Sequence, residues 1–408
     1  MKAMKTIIYA ALLLLVTVAT SQVTVTTLTP EIKGSGGLSL DVNGNLIIAD
    51  FGDFLSVVDP DGQPNDVLIM DTSNVITQYS TGFIGASGND FDSNGILFQS
   101  DIRDGAIYKI IAGVRTFVTN TGISAPVGIA FDSADNFFVC NCGNNTIRKV
   151  TPGGVSTMFA SGTSFSCPNG ITVDEDDNLY VSNFNDGRII KITPAGVTSV
   201  MNITPAGTTG GPSNGHLDYH TPTRTLFIAS HGSNKIFALR LDDPSVLIPI
   251  AGSGTRGNAD GSGTTASFSR PNGVAVTPDG DSIYINSAVP VTNVPNGPLN
   301  PQLIRLITGV QSVLAIEDET KTINTAFIYP NPTSDMVTVE ATLDGSYESL
   351  VIQLFDIHGR LLKEISDISV ASELLSTEFS VAEFAAGTYF LNVMNNNVRL
   401  FTSKLIKN

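Results

Sequence analysis

Three asparagines stand directly before a glycine at the start of an apolar run, where their side chains could face a common ligand. They are Asn169, Asn214 and Asn272, and the corresponding residues before the other such glycines are Gly36, Ser87 and Val127. Calcium affinity depends on the number of charged ligands, so a set without a carboxylate predicts only weak binding of a divalent cation such as calcium. The alternative is that each Asn-Gly pair simply forms the turn into a strand.

A second polar set ends the apolar run that follows each of these glycines. Its members are Asp50, Asp101, Asn141, Asn183, Ser230 and Ser287. If the two runs are antiparallel strands, the end of the second lies beside the start of the first. Asp50 and Asp101 are the acids of this set, which makes them its best candidates for a metal or polar ligand, although acids are also common in turns.

Three of the four histidines, His216, His220 and His231, lie within one stretch of the chain. Clustered histidines can bind a metal or transfer protons near neutral pH. No cysteine, glutamate or aspartate joins them at a recognised metal-binding spacing, which favours surface or hydrogen-bonded histidines. His216 and His231 remain candidates for contact with a ligand.

Short motifs that resemble functional signatures lack the context that those signatures need. Gly211–Gly215 matches G-x-S-x-G, but a strand-like run follows it instead of the helix of a nucleophile elbow. Gly252–Gly257 matches G-x-G-x-x-G, but no helix follows to present its N-terminus to a pyrophosphate. Asp174–Asn178 has calcium-loop spacing without the glycine and glutamate of such a loop. We therefore interpret these matches as loops and turns.

The elements that must position these residues are repeated strands. The opening glycines recur at intervals of about 45 residues, and each begins a short run of β-branched and aromatic residues. They are Gly37, Gly88, Gly128, Gly170, Gly215 and Gly273. About four strands fit in each unit, which predicts an all-β fold with a six-bladed β-propeller over residues 22–309. The alternating run Gln22–Thr29 precedes the first glycine, so we expect it to complete the sixth blade and close the ring.

The repeats resemble the NHL-repeat and SMP-30/gluconolactonase-like propellers. The most specific resemblance lies in Ala251–Val276, and the similarity extends over about Val23 to Gly309. In the SMP-30-like family, acids and an asparagine before some opening glycines hold a divalent cation. At the equivalent positions, directly before its opening glycines, this chain has asparagines but no acid, and Gly36 stands where the family has glutamate. A metal-dependent lactonase is therefore the alternative, and a binding module for a protein or glycan ligand is the favoured function.

The two ends of the chain carry targeting features. Residues 1–21 have a basic start, an apolar core and small residues before Gln22, as in a signal peptide. Residues 310–324 are polar and predict a linker. Residues 325–408 contain short strands with glycine turns, which predict a small β-sandwich, and their motifs resemble the type A sorting domain of type IX secretion. This resemblance implies a secreted or surface protein that meets the secretion machinery after periplasmic export.

Charge and cysteine content restrict the partners. The net charge of −16 disfavours nucleic acid and anionic membrane surfaces, and the mature chain has no candidate membrane span.

Export to an oxidising compartment predicts a disulfide. Strand alternation places Cys142 and Cys167 in loops on the same face of adjacent blades, which favours their pairing and leaves Cys140 as a buried thiol. Cys140–Cys167 is the alternative disulfide. For the function of the whole protein, a purely structural role at the cell surface is a third possibility.

Overall fold

The structure is a computed structural model that describes residues 22–53, 65–207, 214–290, 298–314, 325–343, 347–356, 361–370, 374–395 and 398–408. It divides into two compact units, with the boundary between Val313 and Leu314. The predicted signal peptide, most of the G-x-S-x-G stretch and most of the predicted linker lie outside the described residues.

The first unit is a six-bladed β-propeller, which confirms the predicted fold class. The chain enters with β1 (Thr24–Thr27) and then builds blades 1, 2 and 3, each an antiparallel sheet of four strands. Blade 1 contains β2 (Leu38–Leu40), β3 (Leu46–Ala49), β4 (Val67–Met70) and β5 (Ile76–Ser80). Blade 2 contains β6 (Ala86–Phe91), β7 (Leu97–Asp101), β8 (Ala106–Ile111) and β9 (Val114–Thr119). Blade 3 contains β10 (Pro126–Phe131), β11 (Phe137–Asn141), β12 (Thr146–Val150) and β13 (Ser156–Ser161).

Blades 4 and 5 repeat this pattern, and blade 6 draws on both ends of the propeller. Blade 4 contains β14 (Pro168–Val173), β15 (Leu179–Asn183), β16 (Arg188–Ile192) and β17 (Thr198–Ile203). Blade 5 contains β18 (Leu217–His220), β19 (Thr225–Ser230), β20 (Lys235–Arg240) and β21 (Leu247–Ala251). Blade 6 contains β22 (Gly261–Ser262), β23 (Val274–Val276), β24 (Ser282–Ala288) and β25 (Gln302–Thr308), and it has the strand order β22-β1-β25-β24-β23.

The N-terminal strand closes the ring, as the sequence predicts. β1 pairs antiparallel with β25, with Thr24 opposite Thr308 and Thr27 opposite Arg305. Val25 of this strand is buried, and the side chain and backbone N–H of Thr27 donate hydrogen bonds to Asp260. The innermost strands β2, β6, β10, β14, β18 and β23 contact one another in a closed circle around a central channel. No blade is therefore left open at the point where the repeats begin and end.

Glycines let the innermost strands approach closely at the channel. A Cβ on Gly88 would lie 2.4 Å from the carbonyl oxygen of Val127 in the next blade, and a Cβ on Gly128 would lie 2.4 Å from that of Asn169. The recurring glycine is thus required by close backbone packing between blades. Apolar side chains on the faces of the sheets then fill the space between successive blades, as where Phe138 of blade 3 and Ile171 of blade 4 share one core cluster.

The second unit is a β-sandwich, in agreement with the prediction. One sheet has the order β26-β27-β30 and the other β29-β28-β31-β32. These strands are β26 (Thr325–Tyr329), β27 (Met336–Thr342), β28 (Tyr347–Phe355), β29 (Leu361–Val370), β30 (Leu374–Ser380), β31 (Gly387–Asn395) and β32 (Val398–Lys407). Their inward residues, among them Val339, Ile352 and Leu391, form a single buried core. A short helix, α1 (Val310–Leu314), follows the last propeller strand, and no helix in the described ranges has the length and apolar character to span a membrane.

Candidate functional site

The inner strand of blade 5 is shifted by one residue relative to its sequence pattern. In blade 1 the N–H of Ala49 donates to the carbonyl of Gly37, whereas in blade 5 the equivalent Ala229 donates to the carbonyl of His216. Strand pairing agrees, because Leu38 faces Ile48 and Leu217 faces Ile228. His216 therefore occupies the ring position that glycine holds in the other five blades. The sequence predicts that Asn214 is equivalent to the residues that directly precede the opening glycines of the other blades. This prediction is wrong, because Gly215 occupies that position in blade 5.

The three asparagines hold the blades together at the channel end where the inner strands begin, which we call the asparagine mouth. Asn169 and Asn272 occupy equivalent positions, and each donates its side-chain amide to a backbone carbonyl of the next blade, that of Asn214 at 3.1 Å and of Ser35 at 2.7 Å. The amide oxygen of Asn214 accepts a hydrogen bond from the hydroxyl of Thr204 at 2.6 Å. All three asparagines are buried. These contacts support the structural interpretation of the Asn-Gly pairs.

Asp50 and Asp101 are also buried at this mouth, where they anchor loops. One carboxylate oxygen of Asp50 accepts hydrogen bonds from the hydroxyl of Ser35 and from the side-chain amide of Asn300. Asp101 accepts hydrogen bonds from the backbone N–H groups that precede β6, at 2.8 and 2.9 Å. His231 lies beside Phe184 with both ring nitrogens unpartnered among the described residues, and burial, followed by the charges of two arginines, lowers its pKa to about 3. Apart from His216, the predicted site residues thus lie at one mouth, where the asparagines and aspartates hydrogen-bond to neighbouring blades and loops.

The opposite end of the channel opens into a cavity of about 520 Å³, which we call the aspartate funnel. Its walls are the inner strands of several blades together with the turns that follow them. The polar side chains that line it include Ser39, Asn89, Asp90, Thr172 and Asp218, with His216 at its base and His220 near its rim. No lysine or arginine belongs to this lining in the described part of the chain. The funnel therefore offers a ligand carboxylates, hydroxyls and imidazoles.

Asp90 and Asp218 occupy equivalent positions in blades 2 and 5, which lie opposite each other in a ring of six. Strand pairing places Asp90 opposite Phe98 and Asp218 opposite Phe227, the same register in both blades. Burial, with a smaller contribution from the nearby charge of Asp218, raises the pKa of Asp90 to about 7 against the opposing effect of two backbone N–H groups. Burial also raises the pKa of Asp218 to about 6, although two backbone N–H groups and, to a smaller extent, the charge of His220 oppose this shift. Two carboxyls that titrate near neutral pH in one cavity are a mark of a functional site.

Backbone N–H groups hold each carboxyl in place. The Asp218 carboxylate accepts hydrogen bonds at 2.8 Å from the N–H of Tyr219 and at 2.8 Å from the N–H of Val276 in the next blade. Asp90 accepts from the N–H of the residue that follows it, at 2.8 Å, and from the N–H of Phe131 in the next blade. The two carboxyls are thus fixed by the same interactions on opposite sides of the channel.

His216 extends from blade 5 across the throat of the channel. Its Cε1 atom lies 3.3 Å from the place that a Cβ on Gly37 of blade 1 would occupy. The side chain is buried, its Nε2 has no hydrogen-bond partner among the described residues, and burial lowers its pKa to about 4. The imidazole is therefore neutral at physiological pH, and its Nε2 is a buried nitrogen without a protein partner in the described structure. His220 is different, since its ring nitrogens contact the hydroxyl of Thr223 and the carbonyl of Pro278.

Family comparisons match both units of the chain. Residues 327–408 match the model of the secretion system C-terminal sorting domain, and residues 165–192 match the model of the NHL repeat. The chain therefore carries an NHL repeat within its propeller and a type IX sorting domain at residues 327–408. The strand–turn–strand segment in blade 4 carries the NHL match, while the β-sandwich carries the sorting match. Among curated proteins, none matches the chain significantly.

Solved structures similar to the NHL propeller share its fold at low sequence identity. A Bacteroides thetaiotaomicron protein of unknown function is 14% identical with a TM-score of 0.54, and the match covers 70% of this chain and 76% of that one. An auxiliary nutrient binding protein from Bacteroides ovatus is 15% identical with a TM-score of 0.52, covering 71% and 77%. A gluconolactonase from Xanthomonas campestris is 14% identical with a TM-score of 0.50, covering 72% and 92%. These similarities establish the fold alone.

The residues that sequence reasoning missed are Asp90 and Asp218. They lie inside strands, where the pattern reads as an ordinary alternation of apolar and polar residues. The available signal was an aspartate at a position that holds Ser39, Ala130, Thr172 and Ala275 in the other blades. In blade 5 the shifted register hides that equivalence. Among the described residues of the NHL propeller, no group of three or more His, Cys, Asp or Glu side chains is arranged to hold a metal ion.

We expect the variant Asp90→Asn to stabilise the NHL propeller more at about pH 8 than at about pH 5, by roughly 1–3 kcal/mol. The folded-state pKa of about 7 exceeds the ordinary 3.8, so the protonated acid stabilises the fold at low pH and this contribution is lost as the pH rises through 7. An amide does not ionise and avoids that loss.

Urea unfolding of the wild type and the variant at both pH values measures this difference in stability. The buried histidines are present in both proteins, so their effect on the pH dependence of stability cancels in the comparison. Asp71→Asn is the matched control, because its carboxylate lies in an exposed turn and accepts backbone N–H groups there. An equal gain at the two pH values would contradict the expected ionisation of Asp90.

A disulfide joins Cys142 and Cys167 in the NHL propeller, and Cys140 is a buried thiol. This is the pairing that strand alternation favours over Cys140–Cys167. Non-reducing peptide mapping of the exported protein should yield one cross-linked peptide that contains Cys142 and Cys167. Burial raises the pKa of Cys140, so alkylation of this thiol should require unfolding. Three free thiols in the native protein would contradict the prediction.

Proposed function

We propose that this protein is an exported binding module that holds a small polar ligand in the aspartate funnel of its propeller. The observation that carries the proposal is the pair of half-buried carboxyls, Asp90 and Asp218, that line one cavity with the unpartnered Nε2 of His216. Burying ionisable groups destabilises the charged form, and such groups cluster where a protein binds or reacts. The volume of about 520 Å³ also lies within the usual range of small-molecule sites.

The C-terminal domain supports export of this module. Its match to the secretion system sorting domain implies passage across the outer membrane by the type IX machinery, to the cell surface or the medium. We propose that residues 1–21 are removed first as a signal peptide and that the domain after about Ala326 is removed at the surface. Mass spectrometry of the surface and medium fractions should find a mature N-terminus near Gln22 and loss of the C-terminal peptides. Full-length protein confined to the cytoplasm would contradict this route.

Thermal shift measurements on the mature chain test the binding proposal. The probes are glucose, gluconolactone, 1,4-diaminobutane and calcium chloride, because a ligand that binds only the folded state raises its melting temperature. We expect at least one probe to stabilise the wild type and to have a smaller effect on Asp218→Asn. Asp71→Asn, which changes the net charge equally outside the funnel, should respond like the wild type. If every probe acts equally on the three proteins, or none acts, the funnel is not the binding site.

The lactonase alternative makes a different prediction at the other mouth. A metal-dependent hydrolase would use a divalent ion to polarise a carbonyl or to activate water. At the asparagine mouth, however, no acid stands directly before any of the opening glycines, and the amide oxygen of Asn214 already accepts a hydrogen bond from Thr204. We therefore expect no lactone hydrolysis above a buffer blank with calcium, magnesium, manganese or zinc. A metal-dependent rate that Asn169→Ala abolishes, in a variant that still folds, would support the hydrolase instead.

A further inference from the structure

We infer that the ligand of the aspartate funnel is a small organic cation that carries protonated amino groups. This inference rests on the proposed function, because it names the chemical class of ligand for the same site. It starts from the sign of the charges around the cavity. The acidic side chains of the lining are Asp41, Asp90 and Asp218, and no basic side chain of the lysine or arginine type accompanies them in the described residues.

The charges of the two central carboxyls are not neutralised by the protein groups that contact them. Their hydrogen bonds come from backbone N–H groups, which are neutral donors: Tyr219 and Val276 donate to Asp218, and Phe91 and Phe131 donate to Asp90. The pKa of each carboxyl is raised in spite of these bonds. A ligand that supplies positive charge would offset the cost of ionising two half-buried acids in one cavity, whereas a neutral ligand would leave that cost in place.

His216 adds an acceptor at the base of the funnel. Its side chain is more than nine-tenths buried and its Nε2 is without a hydrogen-bond partner in the described structure. Because burial lowers the pKa of this imidazole to about 4, it carries no charge that would repel a cation. An ammonium group has three N–H donors and no acceptor, so it suits carboxylate oxygens and an imidazole lone pair. The hydroxyls of Ser39 and Thr172 offer further oxygen atoms on the remaining walls.

The geometry favours an organic cation over a bare metal ion. Calcium takes six to eight oxygen ligands at short range, whereas two carboxyls on opposite blades are already occupied in part by backbone N–H groups. A cavity of about 520 Å³ has room for a molecule of several carbon atoms. A short diamine could present one ammonium group to each acidic blade and place its methylene groups against Leu38, Ile129 and Ile171, which also line the funnel.

Cation binding of this kind depends on pH in a defined direction. The titratable groups that face Asp90 and Asp218 across the lining are Asp41, His216, Tyr219 and His220. The two central carboxyls have raised pKa values, so a cation that requires their ionised form binds with release of protons. Affinity should therefore rise from about pH 5 to about pH 8. High salt should weaken the binding only in part, since buried charges are screened less than exposed ones.

Isothermal titration of the mature chain tests the inference with three matched probes. The probes are 1,4-diaminobutane, n-butylamine and the neutral diol 1,4-butanediol, and calcium chloride is titrated separately. We expect binding in the order diamine, monoamine, diol, with no detectable heat for the diol. Asp90→Asn and Asp218→Asn should each weaken diamine binding about tenfold or more, and Asp71→Asn should leave it unchanged. Circular dichroism of each variant verifies that it is folded.

The outcomes distinguish between failure of the predicted ligand class and failure of the funnel as a binding site. Binding of the diol or of glucose as tightly as the diamine would overturn the cationic ligand and leave the funnel as a binding site. Calcium binding that depends on Asp90 and Asp218, without amine binding, would do the same and point to a metal. Amine binding that is equally strong in Asp90→Asn, Asp218→Asn and wild type would overturn both the ligand class and the site. Absence of binding by every probe would also overturn both.

Discussion

A mature chain that begins at Gly34 should melt about 10 °C or more below one that begins at Gln22. The shorter chain lacks the buried Val23 and the strand β1, which contains the buried Val25 and pairs along its whole length with β25. Burying each valine contributes about 1.5–3 kcal/mol, and each lost hydrogen bond removes about 1 kcal/mol more. The deletion also exposes the edge of β25 in blade 6, so the truncated chain should associate or aggregate at high concentration.

Calorimetry and light scattering on the two chains measure these effects. Point variants in the full mature chain provide the control: Val25→Ala should destabilise the propeller by about 2 kcal/mol, whereas Thr24→Ala, at an exposed position, should change little. Equal melting temperatures for the long and short chains would show that ring closure by β1 does not contribute to stability.

Gly88→Ala should destabilise the propeller by about 3 kcal/mol or more, although it adds one methyl group. The new Cβ would lie 2.4 Å from the carbonyl oxygen of Val127 and 2.7 Å from the Cα of Gly128, so the strands β6 and β10 would have to separate. Both contacts are with backbone atoms, which cannot rotate away as a side chain can.

Gly153→Ala is the matched control, because its Cβ would approach no atom closer than 3.8 Å. The control should stay near wild type or gain slightly in stability, since alanine restricts the unfolded chain. Denaturant unfolding of the two variants measures the difference. Similar midpoints for Gly88→Ala and Gly153→Ala would show that the ring can widen without cost.

Much of the fold could be predicted because each blade requires the same residue types at the same places in a short stretch of sequence. A strand that lines the channel needs glycine where it meets its neighbour, and tight turns need asparagine, aspartate and glycine, so these residues recur at each blade. The closing role of Gln22–Thr29 followed from counting strands. Such features depend on residue type at a fixed place in a short pattern, which a single sequence displays.

The aspartate funnel could not be predicted in the same way, because it depends on relations between distant strands. Asp90 and Asp218 come together only when blades 2 and 5 face each other across the ring. In blade 5 the sequence shows Asn214-Gly215, which resembles the pattern of the other blades, yet strand pairing places His216 at the ring position. Register is set by packing of the whole sheet, so a local pattern can be displaced by one residue without a visible sign.

Closure by β1 also has a consequence for the order in which this protein can fold. The backbone N–H of Ile304 donates to the hydroxyl of Thr29, a contact between residues 275 positions apart in the chain. The first strand of the propeller thus pairs with the last strand of the propeller, and contacts of such long range form slowly. Until then the propeller is an incomplete array with two exposed strand edges, so ring closure must follow the completion of the other blades.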